Sequence, residues 1–266
     1  MKLGFIGGGN MAFAIAGGVL ASELCTEKDV YVSDPNTEAL KKFKKLGVNV
    51  RETNDGALKA DYIILAVKPF IMPAVLGELR EKYSDKIKDK VFISIAAGVE
   101  IADIKDALGF DAKVIRVMPN TPAMALCGMS VLAAEHLPAT NEEFSAVAGI
   151  FHAVGEVEIL PESLLNSVIA VSGSSPAYVF MMIEAMADAA VRDGISRKAA
   201  YKLAAQSIMG SAKLMLETGK HPGELKDMVC SPKGTTIEAV KRLEECGFRS
   251  AIMAAMQACT EKADNM

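Results

Sequence analysis

Near the N-terminus, Gly7-Gly8-Gly9 is followed by Asn10, Met11 and Ala12, which together read G-x-G-x-x-A. The motif comes directly after Lys2–Ile6, an expected strand, and opens Asn10–Ser22, an expected helix. These residue types at this spacing suit a pyrophosphate. Gly7 permits a tight turn, Gly9 allows close backbone approach and Ala12 lets the helix pack on a sheet, while the free N–H groups of the first helical turn face the anion. A Gly-rich structural turn is the competing reading, and the strand–turn–helix context weighs against it. Ile6, Gly7, Gly8, Gly9, Asn10 and Met11 are therefore expected to cradle a nicotinamide dinucleotide, NADPH or NADH.

The second expected strand, Val30–Ser33, ends in Ser33-Asp34-Pro35-Asn36. An acidic residue here accepts hydrogen bonds from the adenosine ribose hydroxyls and repels a 2′-phosphate. Asp34 lies beyond the usual spacing of ~20 residues from the glycines, and no Arg follows it to grip a phosphate. That leans toward NADH. Ser33 and Asn36 could still hydrogen-bond a phosphate, and Asp34 could instead initiate an Asp-Pro turn, so the choice stays open.

The rest of the composition narrows the class. The 266 residues carry a net charge of −4, with acidic and basic side chains interspersed. No basic arm or stripe is present, so nucleic acid is not an expected partner. Five cysteines without a C-x-x-C pair suggest reduced thiols and a cytoplasmic location. His136, His152 and His221 are too far apart for a zinc site, so no metal is expected. Leu3–Ser22 is uncharged and could mimic a leader or a membrane span, but its six glycines and Asn10 fit a turn better. Ser163–Ile183 is also uncharged, yet it holds five serines, Asn166 and Pro176. No membrane association is expected.

The elements that must position these residues follow from periodicity. Short apolar runs at Tyr62–Val67, Val91–Ile95 and Val114–Met118 alternate with helical stretches at Thr37–Leu46, Met72–Tyr83 and Ile101–Leu108. Further strands are expected at Met129–Ala133 and Glu156–Leu160, around a helix at Asn141–Ala153. Continuous apolar strands separated by helices predict a parallel sheet covered on both faces. Beyond Pro161 the chain reads at helical period to its end. The expected fold is α/β: a Rossmann-type, doubly wound, mostly parallel sheet over residues 1–160, then an all-helical domain over 161–266.

Further motifs follow in order. They are Ala66-Val67-Lys68-Pro69, Ser94–Val99 (SIAAGV), Arg116–Pro122 (RVMPNTP), Ser172–Tyr178 (SGSSPAY) and Ser231-Pro232-Lys233-Gly234-Thr235-Thr236. With the glycine turn they resemble the strand-end loops and helical-domain motifs of the pyrroline-5-carboxylate reductases across nearly the whole chain. That resemblance implies NAD(P)H-dependent reduction of the cyclic imine Δ1-pyrroline-5-carboxylate to L-proline. It implies a homodimer interlocked through the helical domain, possibly assembled into a decamer. It also implies cofactor contacts at Asn54, Ala66, Val67, Lys68, Pro69, Ala96, Ala97, Gly98 and Asn120. The substrate carboxylate would lie against Ser231, Lys233, Gly234, Thr235 and Thr236. Thr236 is the expected catalytic residue at the ring nitrogen, and Glu162 is a weaker substrate contact.

The residue-level reading stands beside these expectations. Lys68 and Pro69 end a strand, where cofactors lie in this fold class, although Lys68 could be a solvated strand-end lysine. Asn120 and Thr121 lie between two prolines and could form a simple turn. N–H groups and hydroxyls at the start of an expected helix, Ile237–Glu245, suit a small anion, while ordinary capping explains the same residues. Two departures from the family count: Lys233 and Ser175 stand where Gly is usual. A related imine reductase or β-hydroxyacid dehydrogenase is the alternative enzyme. The latter needs a base for an alcohol proton, typically a Lys, and Ser163–Ile183 has none. A non-catalytic dinucleotide sensor would have no reason to keep the Ser231–Thr236 segment.

Overall fold

The computed structural model describes residues 1–265. Eight strands form one sheet: β1 (Leu3–Ile6), β2 (Val30–Ser33), β3 (Asn49–Arg51), β4 (Tyr62–Leu65), β5 (Val91–Ser94), β6 (Lys113–Met118), β7 (Gly128–Ala133) and β8 (Gly155–Leu160). Their spatial order is β3-β2-β1-β4-β5-β6-β7-β8. All neighbours run parallel except β6 and β7. The chain moves outward from β1 to β3, then returns to place β4 on the other side of β1. The switch point therefore lies between β1 and β4, and in such sheets ligands bind outside the carboxyl ends of the strands at that point.

Helices α1 (Asn10–Ala21), α2 (Thr37–Lys44), α3 (Met72–Ile87), α4 (Ile101–Leu108) and α5 (Asn141–His152) belong with this sheet. Two apolar clusters form the core. One gathers Phe5, Ile15, Val32, Phe43 and Ile150, and the other Ile6, Leu65, Leu76, Phe92 and Ile104. Ile6 and Phe5 are adjacent in β1 yet fall in different clusters, as alternation across a sheet buried on both faces requires. Ala12 is fully buried, consistent with the close helix–sheet packing its small side chain allows.

The expected strands are all present, and α4 matches its expected bounds. The sequence reading missed β3, whose three residues are exposed or half-buried at the sheet edge. It also ended α3 at Tyr83. The backbone there leaves helical geometry (φ −131°, ψ 18°), but the helix resumes to Ile87. The uncharged Leu3–Ala21 stretch forms β1 and α1 within the sheet layers.

After β8 come α6 (Leu165–Val168), a π turn over Ile169–Gly173, α7 (Ser175–Arg192), α8 (Arg197–Thr218), α9 (Pro222–Val229), α10 (Thr235–Glu245) and α11 (Phe248–Asp264). The chain divides into two compact units: Met1–Ser174 with Cys259–Met266, and Ser175–Ala258. The sheet is complete at Leu160, while the residues from 161 to 174 lie in the unit that contains it. In the second unit the buried apolar residues are Ala187, Ala200 and Ala204. Phe180, Met181, Leu203, Met209, Leu216 and Met253 are exposed. One stretch, Glu162–Arg192, is long and apolar enough to cross a membrane by length and composition, with 11% of its window buried.

Candidate active site

A cleft of about 810 Å³ opens along the carboxyl ends of β1, β2, β4 and β5. Its walls bring together Ile6, Gly7, Gly9, Asn10 and Met11 from the glycine turn, and Ser33, Asp34 and Asn54 from the neighbouring strand ends. Ala66, Val67, Lys68, Pro69, Ala96 and Ala97 complete the expected set. Gly8, Gly98 and Asn120 do not line it. Ile71, Val75 and Glu78, from α3 and the turn before it, do line it, and the sequence reading missed all three.

The glycine turn has the required geometry. Gly7 adopts φ +104°, and a Cβ there would meet the Ala66 carbonyl oxygen at 2.7 Å. A Cβ on Gly9 would meet nothing within 4 Å, so the space above that backbone is open. Gly9 is the N-cap of α1 and supplies no side chain to its first turn, which carries no acidic residue. The N–H groups at the start of α1 are thus left for an anion, as a dinucleotide pyrophosphate needs.

Asp34 sits beside this turn. Its Oδ2 accepts the Gly8 N–H at 2.6 Å and its Oδ1 accepts the Asn36 N–H at 2.8 Å. Asn36 in turn caps α2 by accepting from Glu38 and Ala39. The Ser33 hydroxyl is buried and accepts the Ala57 N–H at 3.0 Å. Asn54 donates from Nδ2 to Glu78 Oε2 at 2.9 Å. Lys68 is exposed at the end of β4.

Two expected contacts have other employment. The Asn120 amide donates to the Ser172 carbonyl at 3.0 Å and accepts the Met129 N–H at 2.9 Å. It thereby ties the loop after β6 to the π turn. Glu162 Oε1 accepts from Arg116 Nη1 at 3.2 Å and from the Ile101 N–H at 2.8 Å. Arg116 is 1% exposed and also donates to Asn166 at 3.0 Å, and Asn166 donates to Asp264 at 3.2 Å. The signal for this network in the sequence was an Arg inside an otherwise apolar strand, which requires a buried acceptor.

In the second unit, α10 begins at Thr235 with Gly234 as its N-cap and no side-chain cap. The competing reading, ordinary capping of this helix by a Ser or Thr hydroxyl, is not met, and the helix starts two residues earlier than Ile237. Lys233 takes φ +60°, a left-handed conformation that Gly would adopt freely. A Cβ on Gly234 would meet Ser231 Oγ at 2.3 Å and the Ser231 carbonyl oxygen at 3.1 Å, so enlarging Gly234 would displace the Ser231 hydroxyl. Thr235 and Thr236 therefore occupy the first turn of α10, with Ser231 and Lys233 exposed in the loop before it. Among the described residues, no cluster of His, Cys, Asp or Glu could hold a metal ion.

The chain is similar to known proteins over its whole length. Residues 162–266 match the family model described as pyrroline-5-carboxylate reductase dimerisation, and residues 2–98 match that of NADP oxidoreductase coenzyme F420-dependent. The chain is 50% identical to the pyrroline-5-carboxylate reductase of Escherichia coli, covering 100% of this chain and 98% of that protein. It is 41% identical to the Arabidopsis thaliana enzyme of the same name, over 98% and 94% of the two chains. Among solved structures, the Coxiella burnetii pyrroline-5-carboxylate reductase superposes with a TM-score of 0.89 at 34% identity, covering 99% of this chain and 97% of that one. The Plasmodium falciparum pyrroline carboxylate reductase with NADP bound gives 0.89 at 29% identity, covering 100% and 97%. A reductive aminase from Aspergillus terreus (TM-score 0.57, 16% identity, 99% and 92% covered) shares the fold alone.

Proposed function

Because the chain belongs to the pyrroline-5-carboxylate reductase family, we propose that it reduces Δ1-pyrroline-5-carboxylate to L-proline with NAD(P)H. The observation that carries the cofactor half is the cleft across the β1/β4 switch point, with open space above Gly9 and an uncapped α1 start. When bound there, the reduced nicotinamide supplies the hydride. Ile6, Gly7, Gly9, Asn10 and Met11 hold the pyrophosphate, with Gly8 bonded to Asp34 behind them. Asp34 and Asn54 hold the adenosine ribose, and Lys68, Pro69, Ala96 and Ala97 the nicotinamide end. Gly98 and Asn120 support that end from behind.

The substrate half rests on the loop and first turn of α10. The N–H groups of Thr235 and Thr236, with the Ser231 hydroxyl, bind the ring carboxylate, while Gly234 closes the loop by donating its own N–H to the Ser231 carbonyl at 3.0 Å. Lys233 adds attraction at longer range. The Thr236 hydroxyl hydrogen-bonds the ring nitrogen and fixes the orientation of the imine. The protonated imine accepts the hydride at carbon, and the C=N π pair goes to nitrogen, giving the secondary amine. Orientation and exclusion of water are the protein's main contributions, which accounts for the lack of an acid–base pair.

The helical half is a dimerisation domain and the protein is an oligomer that binds a nicotinamide cofactor. We place the exposed apolar faces of α7, α8 and α11 against a second chain, in a dimer that assembles into a decamer. The α7 part of the Glu162–Arg192 stretch lies in that interface and not in a membrane, its first residues belong to the sheet-bearing unit, and the enzyme is cytoplasmic. Unpatterned free cysteines support the last point. Purified protein with pyrroline-5-carboxylate should oxidise NADH or NADPH and release proline, and absence of turnover with both cofactors overturns the assignment. Thr236→Ala should lower kcat/KM for the imine by about 10- to 100-fold, the cost of one hydrogen bond to a charged group, with cofactor Kd unchanged.

A further inference from the structure

The adenosine end of the cleft presents two side chains whose hydrogen-bonding sense is set by their neighbours. Asp34 is fixed, because each carboxylate oxygen accepts a backbone N–H, Gly8 at 2.6 Å and Asn36 at 2.8 Å. Swinging it away would strip the N–H of the buried Gly8 of its acceptor. Asn54 is fixed by chemistry. Its partner Glu78 is a carboxylate, which accepts and does not donate, so the NH₂ of the Asn54 amide must face Glu78. With one N–H held by Glu78, the amide is fixed in the sense that keeps its carbonyl oxygen free to accept from a ligand.

Both side chains thus offer acceptors, which suit the two O–H donors of an unmodified ribose. A 2′-phosphate brings acceptors and about −1.5 to −2 of charge, and it would meet the carboxylates of Asp34 and Glu78, which both line the cleft. Of the cations around this end, Arg51 closes β3 and accepts the Asp34 N–H at its carbonyl oxygen at 3.1 Å, but it does not line the cleft. Lys42 donates to the side-chain oxygen Oδ1 of Asn10 at 3.3 Å and lies over the rings of Phe13 and Phe43. Lys68 stands at the end of β4, on the opposite side of β1 from β2, which carries Asp34.

We infer that this cleft selects NADH over NADPH, and that Glu78 is a positioning residue that acts by orienting the Asn54 amide. The inference rests on the dinucleotide reading of the cleft and not on the identity of the imine. The test is calorimetric titration of the oligomeric enzyme with ADP-ribose and with 2′-phospho-ADP-ribose. Each protein supplies its own ratio of Kd values, so a partly unfolded sample does not alter the result.

The wild type should favour ADP-ribose by roughly tenfold or more, since opposed like charges separate related ligands by such factors. Glu78→Gln should reduce the ratio, because a glutamine amide can donate and releases the constraint on Asn54. In an Asn54→Ala background the same change should have a smaller effect. A wild-type ratio at or below one overturns the selectivity. An undiminished Glu78→Gln effect in the Asn54→Ala background overturns the role through Asn54. No imine enters the titration, so either result leaves the substrate proposal standing or falling on its own assay.

Discussion

Truncating Glu162 to alanine should destabilise the protein far more than a half-buried side chain would normally do. Its carboxylate receives two donors, the Arg116 guanidinium at 3.2 Å and the N–H that opens α4 at 2.8 Å. The Arg116 side chain is 2% exposed and that of Glu162 21% exposed. Arg116 Nε already has no partner. Without Glu162, a sequestered cation keeps Asn166 as its neutral acceptor.

Removing one partner of a buried pair costs 3–5 kcal/mol, and the partial exposure of Glu162 puts the expected loss at the lower end, about 3 kcal/mol. For a chain of this size that corresponds to a fall in Tm of roughly 6–12 °C, read by circular dichroism at one fixed protein concentration. Glu162→Gln retains an acceptor for Ile101 and should lose less. Replacing both partners, Arg116→Met with Glu162→Leu, should recover most of the loss because no unpaired charge remains. If Glu162→Ala melts within about 2 °C of wild type while the KM for the imine rises, the anchoring argument fails and Glu162 is a substrate contact.

Three further outcomes follow from local geometry. Gly7→Ala places a Cβ 2.7 Å from the Ala66 carbonyl at φ +104°, so the Kd for dinucleotide should rise at least about tenfold by titration. Lys233→Gly relieves a left-handed residue at φ +60° but adds unfolded-state entropy, for a net gain of about 0.5–1 kcal/mol in a denaturant titration.

Burial raises the pKa of Glu143, but donation from Lys113 at 2.7 Å and from the Thr140 N–H lowers it more, leaving it below 4.5. A depressed folded pKa means the stabilisation is present above the unfolded value and disappears as the pH drops through the folded one. Glu143→Gln should therefore flatten the stability profile in that acid range, and a profile unchanged from wild type counts against the pair.

The parts of the site that were legible in the sequence are local ones. Gly7, Gly9 and Ala12 serve a turn and a packing contact within six residues, and Asp34 closes the next strand. The sheet was readable because its strands are continuous apolar runs buried on both faces. β3 was not, since Asn49–Arg51 lies at an edge with little to bury. Glu78 was invisible for a different reason: a single acidic residue on α3 gains meaning only through Asn54, which the chain brings to it across β4. Glu162 was noticed and given a substrate role, while its partners lie 46 and 61 residues upstream. The π turn over Ile169–Gly173 left no periodic signature in a stretch that reads as ordinary helix.

The way the chain enters and leaves its second unit has a topological consequence. Ser174 is the last residue of the sheet-bearing unit before the excursion, and Cys259 is the first after it. The Cys259 thiol donates to the Ser174 hydroxyl at 3.3 Å. The excursion Ser175–Ala258 is therefore a handle whose two feet stand on one spot. Bringing feet that far apart in sequence together costs roughly 4 kcal/mol of chain entropy, met within the sheet unit by contacts such as Asn166–Asp264. Cutting the last turn of α11 would free one foot and turn a closed handle into a dangling arm. The handle could also be spliced out or exchanged for another at Ser174 and Cys259, with the strand order left as it is.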